Sequence, residues 1–325
     1  MLNTNVVLIC DLVDNRDGVT IKTNNLEFTS PRYFNAIMQS LKDISKQVIH
    51  YEEPQDFIDN IDKHKNDIVI SAIWSGTDSR NRKSLIPAIC ESYGIKYVGA
   101  DAFVQSLCQD KALTKLYCQQ FDINIPKGVL VTCDNDLQLF KTLDYPVIIK
   151  PNAEGSSIGI SDNSIADNID DAITKSKEIL KYFPQILVEE YIDGIEVAIC
   201  CVGNPDNISL CEVVALEIDG QMFLEHKIWG YESKKCGAAN VSRKVITPEV
   251  NKNIIDQAKR IFSSLGKVDY MRIDGRILND RFYLIELTPD CSLHPDCFMY
   301  KAFSHHELTY TDMMKSIIST QIKLK

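Results

Sequence analysis

"KPNAEGSSIGISDNS", Lys150–Ser164, admits two incompatible readings. Its G-S-S-I-G core fits the G-x-S-x-G pattern of a nucleophile elbow, a sharp strand-to-helix turn with serine at its apex. The same residues describe a small, flexible loop whose backbone N–H groups approach phosphate oxygens, with Lys150 and Glu154 as charged flanks. The residues just after Ser157 separate the two. "IGISDNS" reads as a further strand and a turn, with a helix beginning near Asp167, so no helix stands immediately behind the serine. The downstream histidines, His226, His294, His305 and His306, permit a triad without suggesting one. No G-K-S/T comes after the loop, which excludes a P-loop. A lid loop closing over phosphates is the preferred reading, and its glycines supply the freedom to close.

Outward from that loop, the first hundred residues alternate strand and helix. "NVVLICDLV" is an apolar strand, and Ser30 with Pro31 marks the start of a helix over "PRYFNAIMQSLKDISK". "QVIHYEE", "PQDFIDNIDKH", "DIVISAIW", "RKSLIPAICESYG" and "KYVG" continue the rhythm, which predicts a doubly wound parallel sheet over 1–100. Such sheets bind ligands beyond the carboxyl ends of their strands, so Trp74–Arg82 is a candidate substrate loop. A central α+β unit is expected over 101–192. It holds two adjoining helices, "AFVQSLC" and "DKALTKLYCQQF", and the strands "GVLVT", "YPVIIK" and "QILVEEYI", with a helix over "DNDLQLFKTL". A third unit over 193–325 opens with extended segments "EVAICCVG", "ISLCEVVALEI" and "QMFLEHKI", as strands of one antiparallel sheet. The stretch "WGYESKKCGAANVSR" reads as irregular, "PEVNKNIIDQAKRIFSSLG" as a helix, "KVDYMRIDGRIL" and "RFYLIEL" as paired strands, and "YTDMMKSIISTQIKLK" as a closing helix.

Composition narrows the function classes. Across 325 residues, 35 basic and 45 acidic side chains give a net charge of −10, which disfavours a generic partner among nucleic acids or anionic membranes. No apolar run approaches the roughly 20 residues needed to span a bilayer, and the N-terminus lacks a basic leader, so a cytoplasmic protein is expected. The 11 cysteines lie scattered through apolar runs with no C-x-x-C, and are read as core residues. Cys291, His294 and Cys297, with His305 and His306 beyond, could hold zinc only if four ligands converged, and the plainer reading as core and surface residues is preferred.

Charged residues on separate elements suggest phosphate chemistry. Lys150 ends a strand beside the loop and Lys111 opens a helix, so the two could clamp a polyphosphate. Glu189, Glu190 and Glu196 flank a strand end that passes into a linker, where backbone can meet an adenine edge and a carboxylate a ribose. Asp274 and Glu286 each sit in an apolar strand, and such strands rarely hold unpaired carboxylates. They suit a hard, oxygen-liganded cation such as Mg²⁺, or an ion pair with Arg272 or Arg276.

The order of these pieces resembles the ATP-grasp superfamily, and within it the D-alanine–D-alanine ligase branch. The segments that carry the resemblance are "YGIKYVGAD", "QDKALTK", "YPVIIKPNAEGSSIGI", "LVEEYIDGIEVAI" and "YMRIDGRILNDRFYLIELTPD", over roughly residues 90–300. The resemblance implies an α/β and α+β ATP-grasp fold, with an N-terminal parallel-sheet domain and two further domains clasping ATP. It implies that Lys111 and Lys150 contact phosphates and that Glu154, Ser156 and Ser157 belong to the closing loop. Glu189, Glu190, Tyr191 and Ile192 would meet adenine and Glu196 the ribose, while Lys227 would reach the γ-phosphate. Arg272, Ser156 and Lys227 are the implied catalytic residues. Asp274, Glu286 and Thr288 are the implied ligands of Mg²⁺, with Mn²⁺ as an alternative.

The chain departs from the family where the family usually has asparagine two residues after the second metal glutamate; here stands Thr288. The Gly-rich start and the glutamate for the first D-alanine are missing from "LICDLVDNRDGV". The Pro-Gly and later serine that hold the second are missing from "LTPDCSLHPD". The expectation is therefore an ATP-dependent carboxylate–amine ligase forming a dipeptide or amide through an acyl-phosphate. Its partners would be small-molecule acids and amines, amino acids foremost, other than D-alanine, and the chain could act as a homodimer. The alternative is a catalytically weak ATP-binding relative with a regulatory or partner role.

Overall fold

The computed structural model describes residues 2–12, 29–72, 79–223, 240–289 and 291–322. Continuous apolar runs account for the centre of the first sheet. β1 (Val6–Ile9) is buried on both faces and pairs in parallel with β2 (Val48–Tyr51) and β3 (Ile68–Ser71), while β3 also pairs in parallel with β4 (Lys96–Val98). Val6 and Leu8 face one core and Val7 and Ile9 another, as the period of a strand requires. α1 (Pro31–Ile44) covers the first face. Ser30 caps it by accepting from the Tyr33 N–H, with Pro31 in the first turn. α2 (Pro54–Asp59) and α3 (Leu85–Tyr93) cover the second face.

A second, antiparallel sheet has the order β5-β8-β6-β7: β5 (Gly128–Val131), β6 (Val147–Pro151), β7 (Ile165–Ala166) and β8 (Ile186–Glu190). α6 (Ile169–Ile179) closes its core around Phe140. The third sheet runs β11-β10-β9-β12-β13, also antiparallel. Its strands are β9 (Ile195–Asn204), β10 (Asn207–Ile218), β11 (Val241–Val245), β12 (Tyr270–Leu278) and β13 (Arg281–Thr288). On one face Ile199, Cys201 and Ile273 pack against α7 (Lys252–Ser264) and against α4 (Ala102–Gln109) and α5 (Lys111–Cys118). On the other, Cys200 and Val202 share a core with α1, α8 (Phe298–Ser304) and α9 (Tyr310–Ser319).

Four local expectations change. Residues 241–243, the end of the stretch read as irregular, open an edge strand, Val241–Val245, whose alternation is hidden among polar residues. In "QMFLEHKI" the described part makes only an isolated bridge, Ile218 to Gln221, and residues 224–239 lie outside the described ones. Asp134–Thr142 is a 3₁₀ helix, tied at its start by Asp136, whose carboxylate accepts from the Thr132 and Cys133 N–H groups. "PQDFIDNIDKH" divides into α2 and a 3₁₀ turn, Ile61–His64. Of the expected substrate loop, residues 73–78 lie outside the described ones. Among the described residues no helix is long and apolar enough to cross a membrane.

Candidate active site

The lid loop joins β6 to β7. Ser156, Ser157 and Gly159 have φ of 52°, 62° and 73°, so the backbone turns through three left-handed residues. A Cβ at Gly159 would meet Pro151 Cγ at 2.6 Å, which leaves glycine as the residue that fits there. Buried Ile158 pins the loop, its N–H donating to the Gly155 carbonyl at 2.9 Å. Behind it come a 3₁₀ turn and a two-residue strand rather than a long helix, so Ser157 does not sit on an elbow. Glu154 is latched from outside the loop: Arg82 donates to its carboxylate at 2.9 Å, and Lys111 Nζ donates to its backbone carbonyl.

Below the loop lies a cleft of about 430 Å³ between the second and third sheets. Lys111, Lys150, Glu154, Ser157, Glu189, Glu190, Tyr191, Ile192, Glu196, Arg272, Asp274 and Glu286 all line it. Ser156 is exposed and is not part of the lining. Lys227 lies outside the described residues.

Pairing in the third sheet sets the acidic corner. Arg272 stands opposite Thr288, and Asp274 opposite Glu286; a bulge comes directly after, between Asp274 and Gly275. Because i and i+2 share a face of a strand, these four side chains form one square. Gly275 makes the bulge possible, since a Cβ there would lie 2.4 Å from both the Phe282 ring and the Tyr283 carbonyl. Arg272 grips Asp274 with Nε to Oδ1 at 2.5 Å and an NH2 group to Oδ2 at 2.8 Å. Thr288 Oγ1 donates to the same Oδ2 at 3.0 Å. Burial, and to a smaller extent the like charge of Glu286, push the Asp274 carboxyl up, while Arg272 and Thr288 pull it down. Two carboxylates and a hydroxyl on one face are an all-oxygen donor set. It fits a Mg²⁺ ion that takes its remaining ligands from phosphates and water.

The basic side is a buried network. Glu189 takes an ion pair from Lys150 on one oxygen and from Lys115 on the other at 2.7 Å. All three side chains are nearly fully buried, and the lysines hold the Glu189 carboxyl low despite that burial. Burial pushes Lys115 down to about 8. Lys111 Nζ lies 3.4 Å from Glu286. The Glu189 side chain thus anchors lysines at the cleft wall, and Glu190, Tyr191 and Ile192 continue the lining beyond it. Arg276 orders that linker: it donates to the Ile192 carbonyl at 2.8 Å, lies over the Tyr191 ring at 4.7 Å, and approaches Glu196 at 3.5 Å.

A family model described as the D-ala D-ala ligase C-terminus matches residues 120–319. The chain belongs to the D-alanine–D-alanine ligase family. With that family it falls among the ADP-forming carbon–nitrogen ligases, and its fold is ATP-grasp. It is 26% identical to the D-alanine–D-alanine ligase of Halalkalibacterium halodurans over 85% of this chain and 90% of that one. It is 30% identical to the Campylobacter lari ligase over 69% of this chain and 62% of the other. The Bacillus anthracis D-alanine–D-alanine ligase complexed with ATP superposes with a TM-score of 0.73 at 17% identity, covering 99% and 98% of the two chains.

Sequence reasoning missed Arg82, Lys115 and Arg243 in this D-alanine–D-alanine ligase relative. Lys115 was within reach, because it stands four residues after Lys111 and so on the same helix face. Arg82 lies at the end of the expected substrate loop and Arg243 in the strand read as irregular; neither carries a signal of its own.

Proposed function

We propose that this chain joins a small carboxylic acid to an amine at the expense of ATP, releasing ADP and phosphate. Lys111 and Lys150 would contact the phosphates under the Gly155–Ile160 loop, with Lys227 a further candidate at the γ-phosphate and Ser156 in the loop as it closes. Glu190, Tyr191 and Ile192 would border the adenine and Glu196 the ribose. Asp274, Glu286 and Thr288 would hold Mg²⁺ or Mn²⁺, which when bound neutralises phosphate charge. The γ-phosphoryl group would pass to the substrate carboxylate. Arg272 would then face the resulting acyl-phosphate and stabilise the oxyanion that develops as the amine attacks. The carrying observation is that two lysines, two opposed carboxylates and Arg272 converge on one cleft.

The substrates would be amino acids or close analogues other than D-alanine, because the family's residues for D-alanine are missing from residues 8–19 and 287–296. The test is phosphate and nucleotide release with ATP and Mg²⁺ across a panel of amino-acid pairs. Substrate-dependent ADP is expected; AMP and pyrophosphate as main products would rule out the acyl-phosphate route.

A further inference from the structure

One aromatic ring in the cleft lining gathers two arginines. Phe298, the first residue of α8, carries the Arg272 guanidinium carbon 5.5 Å from its ring centroid and that of Arg243 at 4.9 Å. The two arginines start from β12 and β11, three strands apart, which separates their roots by about 14 Å at the usual strand spacing. Two long cationic side chains nevertheless converge on the same ring, and both line the cleft.

Their charges are matched differently. Arg272 is neutralised by its two-point grip on Asp274. Asp296, which also lines the cleft, is held by Arg32 through two hydrogen bonds, at 2.5 and 3.0 Å. Arg243 makes no hydrogen bond or ion pair among the described residues, and its Nε is buried without a partner. A partly buried guanidinium without a matching anion is costly, and burial together with Arg272 presses its proton affinity down, against the opposing pull of Cys297 and Asp296. A planar anion entering the cleft relieves that cost with a charge-assisted, two-point bond.

We propose that Arg243 is a specificity-determining residue that holds a carboxylate of the substrate over Phe298. The identity of that molecule as a ligation substrate rests on the function proposed above; the requirement for a carboxylate does not. The carboxylate is either the α-carboxylate of an amino acid or a side-chain carboxylate.

The experiment is calorimetric titration of the full chain, with a non-hydrolysable ATP analogue present, using alanine, alaninamide and glutamate as both enantiomers. At least one carboxylate probe is expected to bind roughly 10- to 100-fold more tightly than alaninamide, the range of one charge-assisted pair. Arg243→Gln should reduce that preference to less than about threefold, and Arg243→Lys should restore part of it. Glutamate binding more tightly than alanine assigns Arg243 to a side-chain carboxylate; equal binding, with alaninamide weaker, assigns it to the α-carboxylate. Alaninamide binding as tightly as every carboxylate probe, no binding of any carboxylate probe, or a preference that survives Arg243→Gln overturns the proposal. The comparison of acid with amide in the wild-type chain needs no variant, so a poorly folding Arg243→Gln leaves it decisive. ADP release measured on the same probes reports separately on ligation. Its absence alongside an intact preference for the acid would sink the ligase reading and leave Arg243 in place.

Discussion

At the residue scale, Ser157 and Thr288 carry the sharpest consequences. If Ser157 belongs to a lid, Ser157→Ala removes one or two hydrogen bonds, about 1–3 kcal/mol, and measurable turnover remains. Lys150→Ala, by contrast, would remove the proposed phosphate contact and leave Glu189 with a single lysine, and activity should be lost. Inactivity of Ser157→Ala together with ATP-independent esterase activity of the wild type would restore the nucleophile reading. Thr288 already donates to Asp274, which leaves its oxygen lone pairs for a cation. Thr288→Val keeps the volume and removes the oxygen, so the Mg²⁺ concentration for half-maximal turnover should rise, whereas Thr288→Asn should lower it or leave it unchanged. A Mg²⁺ titration of the valine variant that overlays the wild type would show that Thr288 ligates nothing.

Among the elements, the bulge between β12 and β13, where Ile285 is the extra residue, is where a small change should act most selectively. Gly275→Ala places a methyl group against the Phe282 ring and the Tyr283 carbonyl, and backbone must move to admit it. Slipping the β12–β13 register by one residue would turn Asp274 or Glu286 to the opposite face. Loss of activity is expected to exceed the change in unfolding midpoint, and a variant with full turnover would show that the bulge does not aim the carboxylates. This device is only half legible in the sequence. The paired strands and their acids stand out because a carboxylate in an apolar run is unusual, and glycine after Asp274 hints at an irregularity. Which residue faces which is set by the turn at Asn279 and Asp280, both with positive φ, and by packing against β9. The Gly/Ser loop after β6, the lysines Lys111 and Lys150 that line the cleft, and the alternation of strand and helix in the first unit are equally readable, since each depends on local pattern or a long motif. Arg243 and Arg82 are not, because a single basic residue acquires a role only from what distant elements bring next to it. Asp134–Thr142 escaped for a related reason: apolar spacing alone does not separate a 3₁₀ helix from an α-helix.

On the scale of the whole molecule, Asp269 ties three distant stretches together. Its buried Oδ2 accepts from the Gly99 N–H at 2.8 Å, from Lys267 at 2.5 Å and from Gln321 at 2.7 Å. Burial outweighs these donors and raises the carboxyl above its ordinary value of 3.8. Folding therefore favours the protonated form. The stability this group contributes is complete below pH 3.8 and declines as pH rises through its folded value. Asp269→Asn should gain on the wild type in urea midpoint as pH rises across that window; the opposite trend would mean that Lys267, not burial, governs the group. The same long-range closure governs how the chain comes into being. Val6, Leu8, Ile37 and Leu41 share one core with Met313, Met314, Ile317 and Ile318. Ribosomes deliver the first group early and the second about 270 residues later, so the core that α1 begins over the amino-terminal sheet stays incomplete until residues 313–318 have been made. A nascent chain stalled at Ser304 should accordingly remain cut by protease within residues 1–100, and resistance at that point would show that the sheet closes without its late partners.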